Sequence, residues 1–141
     1  MKTIVSALIV SFISLSAVAN VTDSPPYHPL YGKWMWTYAK NNCQEVYHYR
    51  SDNTSVVTSG EEVGESRFTI SDKHDLNGFY RMIDVVTKSN GLAGCDGTPG
   101  GTPVGDTVTL YIFFSPTKSE MAICQEPSLK ACMGPLRRIS E

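Results

Sequence analysis

Tyr31-Gly32-Lys33-Trp34-Met35-Trp36-Thr37-Tyr38 is the stretch that decides the fold. Trp34, Trp36 and Tyr38 alternate with smaller or polar residues, and a period of two places all three rings on one side of an extended strand. The alternation resumes at once. Cys43, Glu45, Tyr47 and Tyr49 share one face of the next segment, and Gln44, Val46, His48 and Arg50 share the other.

Turn chemistry separates further runs of the same kind. Ser51-Asp52-Asn53-Thr54 favours a turn because Asp and Asn side chains bond nearby backbone and tolerate the left-handed region. Ser55–Thr58 then reads as a strand, Gly60–Gly64 as a turn, and Arg67–Ser71 as the next strand. Gly78–Thr87 is the longest alternating run, with Phe79, Arg81, Ile83 and Val85 opposed to Tyr80, Met82, Asp84 and Val86. Ser89–Asp106 is rich in glycine and proline and sustains neither helix nor strand. Thr107–Phe114 and Lys118–Cys124 flank a Ser115-Pro116-Thr117 turn, and Ala131–Ile139 is the last strand, with Gly134-Pro135 expected at a bulge or an edge.

About eight short strands, with turns every eight to twelve residues and no convincing helix, predict an all-β barrel or sandwich. If sequence neighbours pair as a meander, the loops near 39–42, 61–65, 88–106 and 125–131 fall on one rim. The cysteines sit at those loops. Their number is even, four in all, and none shows C-x-x-C spacing, so two disulfides are expected rather than a metal site. Cys124 and Cys132 flank one short loop and are expected to pair, leaving Cys43 for Cys95. A crossed pairing, Cys43–Cys124 with Cys95–Cys132, would also fit this rim and stays open.

The N-terminus has a basic start at Lys2, an apolar run from Ile4 to Val18 and the small residues Ala17 and Ala19 before Asn20. This is the pattern of a secretory signal peptide, residues 1–19. Residues 20–30, with Pro25, Pro26 and Pro29, read as an extended lead-in, and 31–141 as a single barrel domain. No cysteine follows the apolar run directly, so no lipid anchor is expected, and no later segment reaches the roughly 20 apolar residues of a membrane helix. Secretion or a periplasmic place follows. Twelve basic residues against fourteen acidic ones, net −2, offer nothing that attracts nucleic acid.

Catalytic signals are absent: there is no G-x-S-x-G elbow, and His28, His48 and His74 are scattered without the spacing of a metal site. No enzyme activity, cofactor or metal is expected. Glu45 is the residue of interest. Its face otherwise carries Cys43, Tyr47 and Tyr49, and an inward carboxylate must be paired or must shift its pKa. Arg67, Arg81 and Arg137 are candidate partners, whereas an outward face would leave Glu45 simply wet.

Gly32-Lys33-Trp34 at the start of the first strand resembles the G-x-W element of lipocalins and related calycin barrels, and Arg137-Arg138 in the last strand resembles the basic residue that packs over that tryptophan. The resemblance implies an up-and-down, lipocalin-like barrel with an internal ligand cavity. It places Trp34 near the closed end with Arg137 or Arg138 across its ring. Two functions are expected on these grounds. The first is a carrier for a small apolar or aromatic ligand, held by some of Trp36, Tyr38, Glu45, Tyr47, Tyr49 and Arg81 beneath the Ser89–Asp106 loop. The second is a packed module, an inhibitor or surface interaction factor, that offers its rim loops to an extracytoplasmic protein.

Overall fold

The computed structural model describes residues 27–140. The expected signal peptide and most of the lead-in lie outside the described residues. Eight strands follow in order: β1 Gly32–Tyr38, β2 Cys43–Tyr49, β3 Thr54–Ser59, β4 Glu62–Ile70, β5 Phe79–Ser89, β6 Thr107–Phe114, β7 Glu120–Cys124 and β8 Cys132–Ser140. Each is antiparallel to the next, and β8 returns to β1. The sheet is a closed up-and-down barrel. Closure removes both sheet edges, so every strand is paired on two sides.

The main departure from the alternation pattern is at β4. Gly60–Gly64 is expected as a turn, but Gly64 lies opposite Val57 and Glu62 opposite Ser59, so the turn shrinks to Gly60-Glu61. Gly60 takes φ +58°, and a Cβ there would press on the Ala93 carbonyl at 3.2 Å. The register of β8 slips between Met121 and Ile123 of its partner. The slip falls at Gly134-Pro135, where Gly134 adopts φ +137° and Pro135 has no N–H to give the ladder.

The core fills the end of the barrel from which β1 departs. Trp34, Met82, Ile112, Met121 and Leu136 are almost wholly buried, each contributing roughly 1.5–3 kcal/mol of apolar burial. Trp34 is fully enclosed, and the Arg138 guanidinium lies 4.1 Å from its ring centroid. Arg137 instead points outward and pairs with Glu120 at 3.5 Å.

The end of the lead-in is not extended. It turns at Pro29-Leu30 and inserts the fully buried Leu30 into the base of the core. Trp34 Nε1–H donates to the Leu30 carbonyl at 2.8 Å, and Arg138 donates to the carbonyls of Tyr31, at 2.8 Å, and of Pro29. These carbonyls satisfy the indole N–H and the guanidinium at the barrel end, and so hold the segment folded back.

At the opposite rim, Cys43 is bonded to Cys95 and Cys124 to Cys132. The crossed pairing is thereby excluded. Both bridges tie a rim loop to a strand end, and they suit an oxidising compartment.

Candidate functional site

Above the core, toward the disulfide rim, the barrel stays open. A cavity of about 250 Å³ is bounded by Glu45 and Tyr47 of β2, Ser59 of β3, Glu62 of β4, Asp84 and Val86 of β5, and Thr102 of the long loop. The parity of each strand explains the set. Tyr49, Phe68 and Met82 fill the core below, and two residues along their strands toward the rim stand Tyr47, Ser66 and Asp84. The alternation that makes the core also supplies the walls.

Glu45 faces inward, yet no arginine meets it. Its carboxylate accepts hydrogen bonds from Tyr47 Oη at 2.6 Å and Ser59 Oγ at 2.7 Å. Arg67 and Arg81 are exposed on the outer face, and Arg137 is engaged with Glu120. Ser59 Oγ in turn accepts the Cys95 amide at 2.9 Å, and Asn41 Nδ2 donates to the Cys95 carbonyl. The Cys43–Cys95 bridge thus sets the rim loop over the same hydroxyl that holds Glu45. Burial, and then the hydrogen bond to Glu45, push the Tyr47 phenol far above its usual range. It stays protonated and acts as a donor.

Two further carboxylates face this space. Burial raises Asp84 above the ordinary aspartate value, against a hydrogen bond from the neighbouring Ser66 side chain that pulls the other way, and the Asp84 Oδ1 is enclosed with no hydrogen-bond partner. Burial first, then the charges of Glu45 and Asp96, raise Glu62. A Cβ on Gly101 would overlap the Glu62 carboxylate, and one on Gly94 would come within 2.8 Å of it. The glycine-rich loop therefore lies directly against Glu62, with Thr102 reaching the cavity. Among the described residues the one cationic side chain bordering the cavity is Lys88, whose amine pairs with Glu65 at 3.1 Å while the side chain remains 72 % exposed. The walls thus carry three acidic groups and no facing counter-charge.

Of the six residues expected at a ligand site, Glu45 and Tyr47 line the cavity. Tyr49 lies deeper, in the core, its ring stacked with Tyr47 at 6.4 Å. Trp36 packs on the core and against Tyr38, edge to face at 5.6 Å. Tyr38 itself borders a separate shallow groove with Lys40, Cys43 and Cys95. Arg81 is displaced from the expected site. Met82 takes the inward direction on β5, so its neighbour must face out, where Arg81 stands beside Ser71 and Tyr111.

Asp84 and Glu62 were the residues missed. Asp84 was legible, because it shares a face with Tyr80, Met82 and Val86. Glu62 was hidden by its assignment to a turn. Among the described residues no cluster of His, Cys, Asp and Glu is arranged to hold a metal ion. No protein-family model matches the chain, and neither curated proteins nor solved structures give a significant match.

Proposed function

We propose that the chain is a secreted or periplasmic carrier of lipocalin-like type, and that its cavity receives a small organic cation, an amine with a short apolar body. The observation that carries the reading is the cavity wall: Glu45, Glu62 and Asp84 face it, and among the described residues no cationic side chain pairs with them. An ammonium group would supply the partner that the enclosed Asp84 Oδ1 lacks, because charge-assisted hydrogen bonds are the strong ones in a partly dry site. Tyr47, Val57 and Val86 offer apolar and aromatic surface for the rest of the ligand. A volume of about 250 Å³ lies below the roughly 300–1,000 Å³ of drug-sized sites, so the ligand is small. The Arg138–Trp34 contact and the meander support the lipocalin-like part of the reading, and the two disulfides support an extracytoplasmic place.

The ligand class differs from the apolar or aromatic molecule that the strand faces alone favoured. Isothermal titration with phenethylamine, butylamine and choline, against phenethyl alcohol as the neutral isostere, tests it. Binding of at least one amine, weakened about tenfold or more in Glu45→Gln and in Asp84→Asn, is the expected result. Equal binding of the alcohol would leave a carrier but remove the preference for a cation.

One observation favours the protein-binding alternative. Leu92, Val104 and Leu129 are exposed on the rim loops, a position from which apolar side chains meet a partner. Native mass spectrometry separates the two: an intact protein carrying a small molecule supports the carrier, whereas failure of every amine and neutral probe to bind favours the rim.

A further inference from the structure

The closed end of the barrel contains a histidine that has no part in the cavity. His28 is 7 % exposed, and its Nδ1 accepts the Leu30 amide at 3.1 Å. A ring nitrogen that accepts from an N–H carries no hydrogen, so the hydrogen-bond network assigns the neutral tautomer with its proton on Nε2. The ring meets Tyr80 edge to face at 4.9 Å and Tyr31 at 5.9 Å, with Phe114 at 6.5 Å. This is a site shaped for an uncharged ring.

We infer that His28 is an acid-operated latch, whose protonation at Nδ1 releases the turn of residues 28–31 from the closed end of the barrel. The proton comes from solvent and forms Nδ1–H. The Leu30 N–H then faces a second donor, their hydrogen bond is lost, and the ring carries a charge in a buried, mostly aromatic site. What depends on that one hydrogen bond is considerable. The same turn buries Leu30 completely, presents its carbonyl to Trp34 Nε1, and presents the carbonyls of Pro29 and Tyr31 to Arg138.

The groups around His28 do not reverse this. Burial dominates and holds the His28 pKa below its ordinary 6.5, outweighing the Ser71 backbone and the Asp72 charge, which favour the protonated ring; the Nε2 atom itself is buried without a hydrogen-bond partner. Tyr31 and Tyr80 are neutral phenols that pack on it. His74 also packs on Tyr80, Lys118 lies 5.8 Å from the centroid of the Phe114 ring, and Arg138 is bound to the carbonyls of the turn. The two cations oppose a third charge nearby. Because the closed state binds the proton more weakly than the open one, closure is fully favoured above pH 6.5. It is lost as pH falls from 6.5 toward the depressed value of the closed state, and the opening constant rises about tenfold per pH unit over that window.

Hydrogen exchange of the Leu30 amide and the Trp34 indole, corrected for intrinsic rates, measures this opening at pH 7.5 and pH 5.0. The expected rise is up to about thirtyfold, following the single-proton linkage across that window. His28→Asn keeps an acceptor, since an Asn side-chain oxygen takes the amide two residues on, and does not titrate. Its protection should be independent of pH, whereas His74→Asn should behave as the wild type. Unchanged protection in the wild type, or the same acid-induced rise in His28→Asn, would overturn the latch. If His28→Asn does not fold, an NMR titration of the wild-type ring decides alone: a His28 midpoint below 6.5 accompanying the exposure of Leu30 upholds the inference, and a midpoint at or above 6.5 ends it.

Discussion

Arg137 and Arg138 are neighbours of the same type on one strand, and the barrel gives them opposite duties. Replacing Arg138 by Ala removes a guanidinium held 4.1 Å from the centroid of the fully buried Trp34 ring, a cation–π contact of about 1–2 kcal/mol in a desolvated setting. It also removes hydrogen bonds to the carbonyls of Pro29 and Tyr31, both part-buried, and of Lys118, which is exposed. Water can replace the exposed one, so the other two count, at about 1 kcal/mol each. The sum is about 3–4 kcal/mol, which for a domain of this size lowers Tm by roughly 10 °C or more. Arg137→Ala breaks only a 3.5 Å ion pair whose partners are 74 % and 44 % exposed, and should cost no more than about 0.5 kcal/mol. Urea denaturation with the disulfides intact, followed by Trp fluorescence, compares the two variants directly. Losses within 0.5 kcal/mol of each other would refute the assignment of Arg138 as the clamp on the closed end.

Two further outcomes follow from the same structure. Replacing Cys43 and Cys95 by Ser opens a loop of 52 residues, against 8 for Cys124 and Cys132; chain entropy predicts losses of about 4 and about 2.5 kcal/mol, and equal losses by calorimetry would count against that mechanism. Asp84→Asn should stabilise the apo protein while weakening amine binding. Because burial raises the Asp84 pKa above its unfolded value, the native state holds its proton longer, so this residue's share of stability is greatest at low pH and declines as pH rises through the raised value. Denaturant midpoints measured from pH 3 to 8 should show a steeper decline with rising pH in the wild type than in Asp84→Asn, where Glu62, also raised by burial, still contributes.

Period-two alternation determined a great deal by itself. It placed Trp34, Trp36 and Tyr38 on one face and Tyr47 and Tyr49 with Glu45 on another. Together with the turn residues it yielded about eight strands, and, if neighbours paired as a meander, an expected cysteine pairing that matches the observed one, with a crossed pairing left open. Such features are local, because alternation and turn chemistry are written in adjacent residues. Asp84 could have been found the same way, from the face it shares with Met82.

Parity divides a strand into two faces without saying which one looks inward, and only closure of the barrel turned Met82 in and Arg81 out. Closure likewise chose Arg138 over Arg137 for the ring of Trp34, since the register of β8 against β1 is a long-range fact. It extended β4 through Glu62, because pairing with β3 outweighed the turn preference of a Gly-Glu-Glu stretch. His28 and Leu30, which the prolines suggested were outside the domain, became its base because the barrel end held an indole N–H and a guanidinium in need of carbonyls. The tertiary structure alone gathered Glu45, Glu62 and Asp84 around one cavity, for they lie on three different strands and only a closed sheet brings their inward faces together.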